Sequence, residues 1–367
     1  MISAYITLTT KSVKFISILL CVKLFCTLFA IFVFSKFTPL TDAGMYLSGS
    51  YNVFHTAQRT LIIQTVAIEL AKIGGLVFAH YIFGVFSLIG LSYYFLTGGK
   101  RWQFALFLIF PSALIWTSVI GKEAVFYGAF TLLLVIWSRF VSSQNGVTDI
   151  FLFILALVVC AIFRPHYGVV ILWLFISTFL VNMYGMKAWP YLCLLALLAL
   201  GFYFAFAWEK ILHHGLGGID QGGRSSRFVA LNIIRETTAG FEKYKSLLLL
   251  GAIFGIIGPM PEELITRPEF IPFFLEGIFI IIFPAAVYIY ASKKTFYGKK
   301  RFMELFWLCL IPAILALMLF HAPFGILNPG SATRWRVNFE SIFLIAPILL
   351  MDCFFCSKSY ANSTFSS

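Results

Sequence analysis

Acidic and basic side chains recur at a few places between long apolar runs, and their types suit chemistry on an anionic or polyhydroxylated substrate. Asp42 stands in Thr41-Asp42-Ala43-Gly44-Met45-Tyr46, just past the first apolar run. A carboxylate there can act as general base toward an acceptor hydroxyl or hold a divalent cation. Its structural alternative is the cap of a short surface helix. Lys122-Glu123 follows Pro111-Ser112, Trp116-Thr117-Ser118 and Gly121 at a hairpin tip. Glu123 is a second candidate acid–base group, or else a carboxylate favoured by the dipole at the start of the next helix. Arg164 and His166 flank Pro165 at a second tip. A guanidinium grips phosphate through two hydrogen bonds, and an imidazole can move a proton. Against this stands an ordinary interfacial turn.

Two later groups extend the pattern. The polar stretch 208–269 holds His213-His214 and the run Gln221-Gly222-Gly223-Arg224-Ser225-Ser226-Arg227. Arg224 and Arg227 would share a helix face, and the glycines allow close backbone approach, which suits a pyrophosphate. Their spacing matches no phosphate-loop motif, and the His pair reads as solvated. Arg334-Trp335-Arg336 precedes the last apolar run, with Glu340 one turn on. Arginine beside an aromatic ring suits phosphate pairing and sugar stacking; an interfacial tryptophan anchor is the alternative. No Cys/His spacing resembles a zinc site. No resident cofactor or metal is expected, although Asp42 is compatible with a divalent cation.

The elements that must position these groups are set by composition. The 367 residues are 60% hydrophobic and 11% charged, with a mean hydropathy of +0.93. Soluble domains carry about 25% charged residues, so the chain reads as an all-α polytopic membrane protein. The net charge of +12 is no nucleic-acid footprint, because much of it lies in short loops where the positive-inside rule places Lys and Arg. All seven cysteines lie in or beside apolar runs, so no disulfide framework is indicated. The run 15–34 is too long for a signal peptide and reads as a retained span.

At about 20 apolar residues per span, about ten spans are expected, near 13–35, 75–97, 104–120, 124–140, 148–163, 167–184, 188–207, 270–291, 303–321 and 341–356. Lys11, Lys14, Lys100-Arg101, Arg139, Lys187 and Lys293-Lys294 then mark the cytoplasmic side. Lys23, inside the first span, would snorkel toward the same side. The stretch 61–72 with Glu69 and Lys72 reads as an interfacial helix running into the second span. One long outer loop, 208–269, contains an apolar piece at 247–257 that is too short to cross and reads as re-entrant or interfacial. The expected organisation is one membrane domain, 1–356, with both termini cytoplasmic and a short cytoplasmic tail, 357–367. This topology puts Asp42, Lys122-Glu123, Arg164-His166, Arg224, Arg227 and Arg334–Arg336 on the face away from the cytoplasm.

An acidic residue just beyond the first span, followed by small outer loops carrying Lys/Glu and Arg, resembles the multi-span glycosyltransferases of the GT-C class. That resemblance implies a sugar donor on a polyprenyl carrier, with Asp42 in the position of the base or metal ligand. Pro111-Ser112, Trp116-Thr117-Ser118 and Lys122-Glu123, with the long late loop and Arg334/Arg336 before the last span, resemble bacterial O-antigen or capsule repeat-unit polymerases. This second resemblance implies polymerisation of oligosaccharides carried on undecaprenyl pyrophosphate, at the periplasmic face of the bacterial inner membrane. Arg164, Arg224, Arg227, Arg334 and Arg336 would hold pyrophosphate or sugar. A chain-length regulator would be a natural partner. A transporter or flippase of the same lipid-linked glycans is the non-enzymatic alternative, and it calls for ionisable residues near mid-span.

Overall fold

A computed structural model describes residues 10–38, 40–51, 58–202, 248–259, 264–265, 267–296, 298–327 and 329–355. Arg224 and Arg227 lie outside the described residues. The described residues form helices and no strand. Seven helical stretches are long and apolar enough to cross a membrane: Thr10–Lys36, Gln58–Phe86, Lys122–Val141, Pro165–Leu198, Pro268–Lys293, Lys299–Ala322 and Thr333–Phe355. Val147–Phe163 is a shorter apolar helix. Only helices satisfy every backbone group internally in lipid without closing a barrel, and this architecture is that of a multi-pass membrane protein. The chain divides into two compact units, residues 1–169 with 337–349, and residues 170–336 with 350–367.

The first unit begins with α1 (Thr10–Phe32), α2 (Thr41–Ser48) and α3 (Gln58–Phe86). The expected interfacial stretch 61–72 is part of α3, which is interrupted at Gly75 (φ 81°, ψ −179°). That conformation is essentially restricted to glycine, so Gly75 divides the stretch carrying Glu69 and Lys72 from the apolar half. A turn at Ser87-Leu88 leads to α4 (Ile89–Leu96). Next come α5 (Phe104–Phe107), α6 (Pro111–Trp116), α7 (Lys122–Val141), α8 (Val147–Phe163) and α9 (Pro165–Tyr184), whose first turns belong to this unit.

Two sequence expectations are corrected here. The stretch 104–120, expected as one span, is two short helices followed by the irregular segment Thr117–Gly121. Pro111 has no N–H and holds Phe110 extended (φ −63°, ψ 141°), which ends one helix and starts another. Lys23 does not snorkel to a surface. It is fully buried, its stem crosses Gly84, and its Nζ donates to Thr117 Oγ1 (2.6 Å) and Ser118 Oγ (3.2 Å). Burial in protein is the condition under which irregular backbone is tolerated at membrane depth. His80 contributes to the same end, its Nδ1 accepting from the Ile120 N–H at 3.0 Å.

At the other end of α7 a second buried cluster fastens the turn to α8. Arg139 donates to both oxygens of Asp149 (2.8 and 3.2 Å) and to the Gln144 carbonyl (2.8 Å). Tyr93 and the Gly146 N–H also donate to Asp149, each at 2.7 Å. Arg139, expected as a plain topology marker, is thus a structural latch.

The second unit holds the rest of α9, α10 (Trp189–Phe202), α11 (Leu248–Ile257), α12 (Ile271–Lys293), α13 (Lys299–Leu305), a π-helical turn at Phe306–Leu310, α14 (Ile311–Leu327) and the first and last turns of α15 (Pro329–Phe355). The apolar piece expected at 247–257 is α11. It stops at Gly258, whose φ of 88° closes the helix in the left-handed region. The last helix starts at Pro329, not at 341, so Arg334-Trp335-Arg336 lie within α15 rather than in a loop before it.

Candidate functional site

Three helix termini in the first unit are stitched together pairwise. At the start of α7, Lys122 Nζ donates to Thr60 Oγ1 on α3 (3.1 Å). Beside it, Glu123 Oε1 accepts from Arg164 Nη2 (3.0 Å) at the junction of α8 and α9. Arg59, next to Thr60, closes the ring by donating through Nη1 to the Phe163 carbonyl (3.4 Å). Residues 59–60, 122–123 and 163–164 therefore form a triangle of contacts at one level of the unit.

Local sequence explains each corner. Gly121 is the residue before α7, and Lys122 and Glu123 fill its first turn, where the dipole favours the carboxylate. The Glu123 side chain folds back so that Oε2 lies 3.0 Å from where a Cβ on Gly121 would stand. Pro165 opens α9, which leaves Arg164 in a non-helical conformation (φ −147°, ψ 72°) between two helices. Its side chain retains 15% exposure and that of Glu123 6%, so the pair stands at the edge of the packed interior. Beneath it Tyr167 is fully buried against Phe126 (ring centroids 4.7 Å) and Phe130 (5.5 Å). An apolar floor lowers the local dielectric and strengthens the fields of the charges above it.

Arg59, Lys122 and Arg164 stand at the corners of this triangle, and Arg164 pairs with the Glu123 carboxylate. Arg59 and Arg164 are near enough for their like charges to interact. Three cationic side chains at one level of the unit, with one carboxylate among them, suit an anion that is polar at several points, and Glu123 could take a hydrogen bond from a hydroxyl.

The sequence candidates distribute unevenly around this triangle. Lys122, Glu123 and Arg164 are in it. His166 is the second residue of α9, half-buried, its ring tilted against Tyr167 at 4.7 Å. Asp42 sits in the first turn of α2, which packs on α3, and is half-buried. Among the described residues no group of three His, Cys, Asp or Glu could hold a metal ion.

Arg334, Trp335 and Arg336 belong to the second unit. Arg334 and Trp335 are half-buried, whereas Arg336 is fully buried. Arg336 Nη2 donates to Glu276 Oε2 on α12 (3.0 Å), and Nη1 donates to the Ile256 and Ile257 carbonyls (2.8 and 3.2 Å). A cation at the last carbonyls of α11 is favoured by the helix dipole. A Cβ on Gly277 would lie 2.5 Å from the Ile257 carbonyl, so α12 meets the end of α11 backbone to backbone.

Sequence reasoning missed Arg59, the depth of Lys23 and His80, and Glu276. The signal for Arg59 was present: an arginine expected on the outer side runs against the positive-inside bias. Glu276 inside an apolar run was equally marked by the cost of a carboxylate in a span.

Comparison with protein families, curated proteins and solved structures finds no match to this chain.

Proposed function

We propose that the protein is a membrane glycosyl-transferring enzyme that polymerises oligosaccharide repeat units carried on undecaprenyl pyrophosphate, at the outer face of a bacterial inner membrane. The observation that carries this reading is the triangle of helix termini that brings Arg59, Lys122, Glu123 and Arg164 to one level of the first unit. In such a reaction an acceptor hydroxyl attacks the anomeric carbon at the reducing end of a second lipid-linked glycan. A new C–O bond forms, the bond to pyrophosphate breaks, and undecaprenyl pyrophosphate leaves with the bonding electrons. Arginine and lysine stabilise the negative charge that develops on the leaving group. Glu123 accepts the proton of the attacking hydroxyl, with Asp42 as the alternative base. Arg334 and Trp335, half-exposed on α15, are further candidate contacts for the glycan, while Arg336 is committed to its buried partners. The long loop carrying Arg224 and Arg227 adds cationic charge to the same reading, and a chain-length regulator is the expected protein partner.

The test is glycan length in cells making Glu123→Gln or Arg164→Ala. Long polymer should disappear while single repeat units and membrane protein level persist. Unchanged polymer length in both variants would overturn the assignment. Asp42→Asn separates the enzyme classes: loss of one side-branch sugar with chain length kept would identify a GT-C-type transferase using a polyprenyl-phosphate sugar.

A second reading, transport of the same lipid-linked glycans, is favoured by one observation. Lys23, Glu276, Arg336 and Glu340 are ionisable groups buried within helices, where carriers place their pathways. In a polymerase-deficient cell, unjoined repeat units accumulate on the outer face; in a transporter-deficient cell they accumulate on the cytoplasmic face.

A further inference from the structure

At the end of the first unit opposite the triangle, one face of α1 borders a cavity of about 540 Å³. Pockets that take small ligands run from about 300 to 1,000 Å³. Lys11, Lys14, Phe15 and Ile18 line it from α1, and Lys100 and Trp102 from the segment between α4 and α5. Lys14, Phe15 and Ile18 lie three, four and seven residues after Lys11, so they share one helix stripe with it. Leu19 and Phe95 supply a buried apolar floor, and Phe15 stacks on Phe95 with centroids 4.8 Å apart. Ser12 Oγ donates to the Phe95 carbonyl (2.9 Å) and fixes α1 against α4, so the groove is built on packed elements.

The lining is polarised. Three lysines line it, and none of their ammonium groups makes a hydrogen bond or ion pair among the described residues. No acidic residue lines the cavity, and residues 1–9 contain none. From Lys11 to Ile18 the helix rises about 10 Å, moving from ammonium groups to aliphatic surface. Lysines that only set topology need no shared cavity. These converge on one whose opposite end is apolar, and that layout matches an amphiphile with an anionic head.

We propose that this groove binds an anionic glycerophospholipid, the headgroup phosphate held by Lys11, Lys14 and Lys100 and an acyl chain laid along Phe15, Ile18 and Leu19. Basic pockets between helices at a membrane boundary recognise lipid phosphate in this way. The site is independent of the glycan chemistry at the triangle.

Native mass spectrometry of the purified full chain tests it, with phosphatidylglycerol and phosphatidylcholine of identical acyl chains offered at equal amounts. Phosphatidylglycerol adducts should be favoured at least about tenfold, and each Lys→Gln change should weaken them about fivefold. Equal retention of the two lipids, or a Lys11→Gln/Lys14→Gln/Lys100→Gln variant that keeps the preference, overturns the proposal. Because these lysines also orient the chain, Lys100→Gln combined with Gln103→Lys keeps the loop charge while moving the ammonium off the groove. It should lose preference like Lys100→Gln, and wild-type preference would overturn the site. Excess inorganic phosphate should displace little lipid; complete displacement would identify a free-phosphate site instead. Phosphatidylglycerol brominated on its acyl chains should quench a tryptophan component that Trp102→Phe lacks, and identical quenching in that variant places the lipid elsewhere.

Discussion

Replacing Arg336 with methionine should destabilise the second unit rather than weaken a substrate grip. The guanidinium is fully buried and engages Glu276, whose side chain is 2% exposed, together with two carbonyls at the end of α11. Removing one partner of a buried ion pair costs about 3–5 kcal/mol. Losing the contacts to the Ile256 and Ile257 carbonyls adds about 1–3 kcal/mol. For a unit of this size each kcal/mol lowers the melting temperature by about 2–4 °C, so even a 3 kcal/mol loss gives a fall of about 6–12 °C. The readout is a maleimide dye that reacts with Cys309, which is fully buried, as the unit opens in detergent. Exposed Cys21 and Cys193 are first replaced by serine to lower the background. Arg336→Met/Glu276→Met should be more stable than Arg336→Met alone, with a coupling of about 2–3 kcal/mol. Only the uncapped carbonyls then remain, since apolar replacement of both partners is often neutral. An Arg336→Met protein that melts like wild type, or a double variant no better than the single one, would refute the clamp.

Other consequences of the geometry are equally open to measurement. Lys23→Met should lower stability by removing donors to Thr117 and Ser118 and the positive charge that interacts with Glu340. Adding Glu340→Gln should restore part of that loss, and a melting temperature unchanged by Lys23→Met would refute the arrangement. Asp149→Ala strips the acceptor from Arg139, Tyr93 and the Gly146 N–H, and should cost about 3–5 kcal/mol, read as loss of monodisperse protein on size-exclusion chromatography. Gly75→Ala forces an alanine into a conformation costing about 1–3 kcal/mol. Its melting temperature should fall accordingly, whereas a gain would mean that α3 runs better unbroken.

Hydropathy made most of the helices legible because the cost of exposing backbone to lipid is paid over about 20 residues at a time, a signal long enough to survive local noise. The same reasoning set Lys122, Glu123 and Arg164 at helix tips, where α7 begins and α8 gives way to α9. It failed at 104–120, where apolarity suggested a span but Pro111 and Phe110 dictate a break. It failed again at Lys23, because no periodicity encodes a partner 94 residues away. Arg336 and Glu276, 60 residues apart, are the same case: each alone looks like an anchor or an oddity, and only their pairing gives them a role. Arg59 was legible by the positive-inside argument, but its contact with the Phe163 carbonyl, 104 residues away, was not.

The burial of Lys23 also constrains how the chain is made. Ribosomes add about 5–20 residues per second, so the hydroxyls of Thr117 and Ser118 emerge several seconds after Lys23 has been synthesised. During that interval α1 carries an ammonium whose transfer to the bilayer centre costs about 2.5–3.5 kcal/mol on insertion scales. The first helix therefore gains its full membrane compatibility only when the middle of the protein arrives. Insertion and assembly are coupled for this chain, and α1 is best retained beside the translocation machinery until its later partners reach it.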